Sequence, residues 1–250
     1  MLLEGPPPRV LAHRGLALDA PENTLAAFRA ALATGIRIVE TDVHLSADGI
    51  AMVAHDPDLR RVAGLDRKVS DLTAAELAGL DLGGGHGMPM LAEALAEFPD
   101  ARFNIDLKAE DVLAPAVAAI RTAGASDRVL LTSFDEGRRV RAAQALPCVA
   151  TSPGSLGVLR VLVATWVRSG RSVRRMLRGA VALQVPESVR GLRIVTPRFV
   201  RRVHEAGAEV HVWTVNEPAD MHRLLDLGVD GIVTDRADLA VAVLRERSPG

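Results

Sequence analysis

Glu40 and Asp42 stand two residues apart in the apolar run I-V-E-T-D-V, and Asp106 and Lys108 stand two apart in N-I-D-L-K. In a strand, the period of two sends Glu40 and Asp42 to one face and Val39, Thr41 and Val43 to the other. Carboxylates gathered on an inward face repel one another and lose hydration unless a cation joins them. The competing reading, ion pairs with nearby arginines, is the weaker one, because buried acids are rarely left without a metal or a partner. Three oxygen-donor side chains with no thiolate and no paired histidines suit one hard divalent cation, Mg²⁺ or Ca²⁺, over zinc. His13 ends an apolar run and precedes Arg14-Gly15, and His55 ends another beside the acids. Two histidines next to a cation and basic residues suit an in-line phosphoryl displacement. One takes a proton from the nucleophile and the other gives one to the leaving alcohol, with either assignment compatible with the spacing. His44, His204, His211 and His222 are assigned to the surface or to packing, and the assignment of His86, in a Gly-rich stretch, stays open.

Such chemistry needs strands that deliver these side chains to one place. Apolar runs suited to strands fall at 10–13, 38–43, 103–107, 129–133, 148–151, 180–185, 209–214 and 231–234. Amphipathic stretches lie at 24–34, 90–97, 112–122, 136–145, 158–177, 197–205 and 218–227, and a last one at 237–246 closes the chain. Strands alternating with helices imply βα units and parallel pairing. Eight of them predict an α/β fold of the (β/α)₈ TIM-barrel type. An open doubly wound sheet is disfavoured, since no G-x-G-x-x-G follows the first strand. We expect one domain over 1–250 with an insertion at about 46–88, too long for an ordinary βα loop of about 2–6 residues. The insertion holds a short apolar run at 50–54, then His55-Asp56-Pro57, then the Gly-rich 83–87. In a barrel, working residues cluster at the C-terminal strand ends. His13, Arg14, Glu40, Asp42, Asp106, Lys108, Ser133, Gln184, Trp213, Asn216 and Asp235 fall there.

The motifs carry a resemblance. The chain reads A-H-R-G at 12–15, P-E-N-T at 21–24, E-T-D-V at 40–43, S-A-D-G at 46–49, V-A-H-D at 53–56 and N-I-D-L-K at 104–108. It continues with T-S-F at 132–134, W-T-V-N at 213–216 and G-V-D-G-I-V-T-D at 228–235. In this order and along the whole chain they resemble the glycerophosphodiester phosphodiesterase family. The resemblance implies hydrolysis of a small-molecule glycerophosphodiester to sn-glycerol 3-phosphate and an alcohol. It implies His13 and His55 as the acid–base pair, Glu40, Asp42 and Asp106 around the metal, and Arg14 and Lys108 on the phosphate. The family usually has glutamate where this chain has Asp106. An aspartate there also resembles the sphingomyelinase D and lysophospholipase D type of enzyme acting on lipid phosphodiesters, which stands as the alternative beside a non-catalytic phospholipid-binding barrel. Only Lys68 and Lys108 of the 30 basic residues are lysines. A lysine kept in so arginine-biased a chain suits a compact point charge on a phosphoryl oxygen.

Bulk properties narrow the classes. With 48% hydrophobic and 24% charged residues the chain has material for a sizeable core, and its net charge of −1 gives no field that would draw nucleic acid. The single Cys148 excludes an internal disulfide framework. The first residues lack the basic and apolar regions of a signal peptide, and no apolar run approaches the ~18 residues of a membrane span. The expected location is the cytoplasm. Residues 156–179 mix apolar side chains with Arg160, Arg168, Arg171, Arg174, Arg175 and Arg178. Peripheral membrane contact through this stretch is the less favoured reading, since such a helix more often packs its apolar stripe on a barrel. Pro21–Thr24 reads as a helix start capped by Asn23 or Thr24, with Glu22 or Asn23 near the site. Trp213 is expected as a wall against the substrate's alcohol groups.

Overall fold

The computed structural model describes residues 3–167, 170–177 and 179–247. Eleven strands are present among them: β1 (Arg9–His13), β2 (Ile38–Leu45), β3 (Ala51–Val53), β4 (Arg102–Leu107), β5 (Val129–Thr132), β6 (Ala150–Thr151), β7 (Ala182–Pro186), β8 (Ser188–Val189), β9 (Leu192–Arg193), β10 (Glu209–Trp213) and β11 (Gly231–Thr234). The helices are α1 (Leu25–Ala33), α2 (Arg60–Ala63), α3 (Ala74–Ala78), α4 (Leu91–Glu97), α5 (Leu113–Thr122), α6 (Glu136–Ala145), α7 (Ser155–Val167), α8 (Gly170–Leu177), α9 (Pro197–Glu205), α10 (Pro218–Asp226) and α11 (Ala237–Arg247).

Eight parallel strands run in the order β6-β5-β4-β2-β1-β11-β10-β7, and β3 pairs antiparallel with β2. At the seam, the Val181 N–H donates to Thr151 O at 3.0 Å and the Gln184 N–H donates to Ser152 Oγ at 3.2 Å. The ring is therefore nearly closed, a (β/α)₈ TIM barrel. Alternation along the strands decides which side chains meet. On β2 and β4, Val39, Val43, Phe103, Ile105 and Leu107 face outward and pack with Phe28 of α1 and Leu91 of α4. Their neighbours Glu40, Asp42, Asn104 and Asp106 are thereby left to the barrel interior. Register puts Glu40 opposite Asn104, Asp42 opposite Asp106, and His13 opposite Glu40. Below them Leu11, Ile38 and Val233 form an apolar layer against Trp213.

Residues between β2 and α4 form the short hairpin strand β3, α2, a 3₁₀ turn at Val69–Asp71 and α3, closing over Met52, Leu59 and Leu77. Two differences from the sequence reading stand out. The helix expected at 158–177 begins earlier, at Ser155, and its described parts are α7 and α8, with residues 168 and 169 between them outside the described parts. Arg168 and Arg178, and the side chains of Trp166 and Arg171, lie outside the described parts. The β8–β9 hairpin was not expected either, because two-residue strands leave no readable alternation. No helix among the described residues is long and apolar enough to cross a membrane.

Candidate active site

The interior acids converge as their spacing requires. Lys108 Nζ lies 2.7 Å from Asp42 Oδ1 and 2.8 Å from Asp106 Oδ2, so the lysine bridges the two facing carboxylates. Glu40 Oε2 accepts from the Arg14 backbone N–H at 3.2 Å. Among the described residues, Asp106 Oδ1 and Asn104 Oδ1 are buried with no hydrogen-bond partner. Burial, then the charges of Asp42 and Asp106, pushes the Glu40 carboxyl well above the usual range. Burial likewise raises Asp106, against the opposing pull of Lys108. Burial alone would lower the Lys108 ammonium, but Asp42 and Asp106 outweigh it and the net shift is upward. The cluster therefore holds more negative charge than Lys108 and Arg14 neutralise.

Each histidine is held by an aspartate through Nδ1. His13 Nδ1 lies 2.6 Å from Asp235 Oδ1 at the end of β11, and Asn216 Nδ2 donates to Asp235 Oδ2 at 2.7 Å. The bond to His13 is the main reason the Asp235 carboxyl sits below its ordinary value. His55 Nδ1 lies 2.7 Å from Asp56 Oδ1. A carboxylate at Nδ1 fixes the tautomer and leaves Nε2 to exchange a proton. For His13 that atom faces the acids, 3.9 Å from Glu40 Oε2. Neither aspartate was given a role from sequence. The adjacent pair His55-Asp56 and the Asp235 that ends the last strand motif were the available signals.

The first βα loop is shaped around the same centre. Arg14 adopts φ 58° and Gly15 φ 87°. A Cβ at Gly15 would sit 2.7 Å from the Ala27 backbone, so the turn packs directly on α1 and only glycine fits. Thr24 caps α1 by accepting from the Ala27 N–H. Asn23, buried at φ 56°, accepts from Thr41 Oγ1 at 2.8 Å. Arg14 Nε lies 3.5 Å from Asp42 Oδ2, and its Nη1 donates to Glu22 Oε1 at 2.9 Å. Arg61 on α2 donates to Glu22 at 2.7 Å and to Asp56 at 2.6 Å. A polar chain thus runs from His55 in the insertion to Arg14 on the barrel. Arg61 carried no signal in the sequence, because an arginine on a short exposed helix reads as a solvated charge.

Trp213 meets Phe134 edge to face, with ring centroids 6.3 Å apart, and Lys108 Nζ lies 5.6 Å from the Phe134 centroid. All eight expected residues, His13, Arg14, Glu40, Asp42, His55, Asp106, Lys108 and Trp213, line one cavity. Of the other histidines, His211 is fully buried on Glu209, His204 pairs with Asp230 and His222 with Glu246. His44 packs against the insertion, its Nε2 3.2 Å from the His55 carbonyl.

An eight-stranded α/β barrel with paired histidines and an acid cluster at its C-terminal rim belongs to the class of barrel enzymes that work at that face. Comparison narrows the class. Residues 13–239 match the Glycerophosphoryl diester phosphodiesterase family. A Mycobacterium tuberculosis protein named "Probable glycerophosphodiester phosphodiesterase 2" is 42% identical over 95% of this chain and 90% of its own length. A glycerophosphodiester phosphodiesterase of Caldanaerobacter subterraneus is 30% identical over 95% of this chain and 98% of its own. Among solved structures, an Oleispira antarctica phosphodiesterase in complex with the product sn-glycerol-3-phosphate superposes with a TM-score of 0.79 at 26% identity, covering 96% of this chain and 97% of that one. The chain belongs to the glycerophosphoryl diester phosphodiesterase family and is a phosphoric diester hydrolase.

Proposed function

We propose that this chain is a metal-dependent glycerophosphodiester phosphodiesterase, cleaving its substrate to sn-glycerol 3-phosphate and an alcohol. The observation that carries the reading is the meeting of two Nδ1-anchored histidines with the Asp42–Lys108–Asp106 bridge in one cavity. The product complex of the Oleispira relative supports the choice of substrate. Among the described residues, no group of three or more His, Cys, Asp or Glu side chains forms a ready-made metal cage. The donor set nonetheless fits a hard cation. It is all oxygen, Asp106 Oδ1 is buried without a partner among the described residues, and burial followed by the neighbouring acids raises Glu40. Glu40, Asp42 and Asp106 would hold the ion, Mg²⁺ or Ca²⁺. When bound, such an ion polarises phosphoryl oxygens and offsets the charge that develops on them.

The chain's own residues supply the rest. Arg14 and Lys108 place fixed positive charge beside the phosphodiester. One histidine accepts a proton at Nε2 from the attacking oxygen, and the other donates one from Nε2 to the leaving alcohol. Over the whole reaction one water is consumed, one P–O bond to the alcohol breaks and one P–O bond to water's oxygen forms. Asp235 and Asp56 keep both rings in the required tautomer. The test is turnover of glycerophosphocholine with and without chelator. Turnover that disappears with chelator and returns with Mg²⁺ or Ca²⁺ supports the reading. Full activity in excess chelator, or rescue only by a thiophilic metal, overturns the metal assignment, and absence of turnover with every divalent ion overturns the activity.

A further inference from the structure

Helix α7 has two apolar stripes, and the barrel covers only one of them. Val161 and Ala164 are buried, with Val158 and Leu162 packed partly beneath. Leu156, Leu159 and Val163 recur at helical spacing on another side, with Arg160 among them, and all four stand exposed. The β8–β9 hairpin repeats the pattern. Val189 pairs with Leu192, and a two-residue turn of Arg190 at φ 49° and Gly191 at φ 80° closes the tip. All four of its strand residues are exposed, so the hairpin buries none of them in the core. Phe134, Leu159, Val163, Val189 and Leu192 border one cavity, which places the helix stripe and the hairpin tip around a single opening. With Leu156 they make up six of the nine large apolar side chains exposed among the described residues, at 48% to 67%. Apolar residues exposed singly need no explanation, but a cluster of this kind marks an interaction surface.

Charge says what the surface meets. Residues 155–202 contain eleven arginines, no lysine and one acid, Glu187, although the chain as a whole carries a net charge of −1. That acid is itself held by Arg223, whose two bonds to it measure 2.9 and 2.8 Å. Arg160 and Arg190 stand exposed among the apolar side chains. A second copy of the chain would bring the same arginines face to face across a two-fold axis, and charged residues are depleted from the cores of protein interfaces. A nucleic acid would use the arginines and leave six apolar side chains without a role. An anionic bilayer uses both. Leu, Val and Phe side chains enter the boundary between head groups and acyl chains, and arginines whose stems lie along them reach the lipid phosphates.

We infer that α7 and the β8–β9 hairpin form a peripheral docking face for anionic phospholipid bilayers. Docking of this kind sets where the protein works and is independent of the phosphodiesterase reading. The apolar side chains supply insertion and the arginines supply selectivity for negative lipid, so each set has its own signature.

The experiment is sedimentation of the full chain with vesicles of phosphatidylcholine alone or in equal mixture with phosphatidylglycerol. Partition onto the mixed vesicles should be at least ~10-fold stronger than onto the neutral ones and should fall as salt is raised. Leu156→Gln combined with Leu192→Gln should weaken binding to mixed vesicles by about tenfold and leave the salt dependence in place. Arg160→Gln combined with Arg190→Asn, the asparagine suiting the positive φ, should weaken it by about fivefold for each arginine and leave neutral vesicles unaffected. Thermal midpoints should not move, since none of the four side chains is buried. The contrast between the two vesicle types needs no variant, so it decides even if one pair fails to fold. Equal partition onto both vesicle types, or binding to neither, overturns the inference, as does binding that either folded pair leaves unchanged. Self-association abolished by the leucine pair, without vesicle binding, overturns it in favour of a contact between copies. Retention on duplex DNA that depends on Arg160 and Arg190, without vesicle binding, overturns it in favour of a nucleic-acid face.

Discussion

The two ends of the barrel use the same residue types to opposite effect. At the N-terminal end, Arg9 donates to both oxygens of Glu209 at 2.7 Å, and His211 Nε2 lies 2.9 Å from the same carboxylate. Arg9 also donates to the carbonyls of Leu3 and Gly5. Burial would raise Glu209, but hydrogen bonds from His211 and Arg9 win and bring it down to about 2. At the C-terminal end, Glu40 and Asp106 are pushed up, and Asp106 Oδ1 is buried without a partner among the described residues. Burial is common to both ends, so it does not distinguish them. The difference is whether the acid's partners are complete. A satisfied acid stabilises the fold, whereas an acid left short of positive charge marks a place where something else is to bind. Changes at the rim should therefore remove activity and spare or improve stability, and changes at the floor should do the reverse.

The largest effect belongs to the rim histidines. His13→Ala and His55→Ala should each lower kcat by about 10²–10⁴-fold while leaving the thermal midpoint nearly unchanged. The double variant should be little worse than the poorer single one, because both act in one displacement. The pH profile of the unaltered enzyme should be bell-shaped, since one imidazole must be neutral and the other protonated. A nitrophenyl phosphodiester, whose leaving group needs no proton, should largely rescue loss of the acid and not of the base. If neither substitution alters turnover, the rim is not the catalytic end.

Next are the acids. Glu40→Gln should abolish metal-supported turnover and at the same time raise the melting temperature of the metal-free protein at neutral pH. The sign follows from the upward shift. The folded state disfavours the Glu40 carboxylate relative to the unfolded chain, so Glu40 detracts from stability at pH values where the unfolded side chain is ionised. Glutamine removes that penalty and can still accept from the Arg14 N–H. A variant that is both inactive and less stable would break the contrast between rim and floor. Asp106→Glu keeps the charge on a side chain one methylene longer and should shift metal preference more than maximal rate. Lys108→Arg, with charge kept but compactness lost at a site that must bridge Asp42 and Asp106, should lower kcat by about tenfold or more. Unchanged kinetics would mean that charge alone matters there.

How far this was legible in the sequence depended on whether a feature is local. The i, i+2 spacing of Glu40 and Asp42 and the repeat at Asp106 needed only strand periodicity, so the acid cluster could be placed before any coordinates. The same holds for His13 at a strand end. Partners that join distant segments were not legible. Nothing in the local pattern of Asp235 or Arg61 says that one reaches His13 across the β1–β11 ladder and the other ties Glu22 to Asp56. The lysine was expected to face the phosphate, and the structure adds its bridge between two carboxylates, which depends on the parallel register of β2 and β4. Residues 158–177 read as one helix, and the stretch 156–179 as packing its apolar stripe on the barrel in preference to a membrane. Heptad-like patterning alone does not separate the stripe made by Val161 and Ala164 from the exposed one made by Leu159 and Val163. The satisfied acid of the floor was also beyond reach, since Arg9 and Glu209 lie 200 residues apart in the chain.

The smallest effect tests the floor. Glu209→Gln should leave kcat unchanged, since Arg9, Glu209 and His211 lie at the end of the barrel away from the site. It should reduce unfolding free energy at pH 7 by on the order of 2 kcal/mol. Glu209 falls from an ordinary 4.5 to about 2 in the folded protein. A depressed carboxyl contributes stability that is fully present above the unfolded value and is lost as pH falls through the folded one. The gap between the two proteins should therefore be constant from neutral pH down to about 5 and shrink between about 4.5 and 2. Denaturant titrations across that range read it directly. In the same titrations the gap between Glu40→Gln and the unaltered protein should have the opposite sign at neutral pH. If Glu209→Gln shows no pH-dependent gap, the hydrogen bonds from Arg9 and His211 do not stabilise the charged form. The contrast between a satisfied acid at the floor and unsatisfied acids at the rim would then rest on the rim alone.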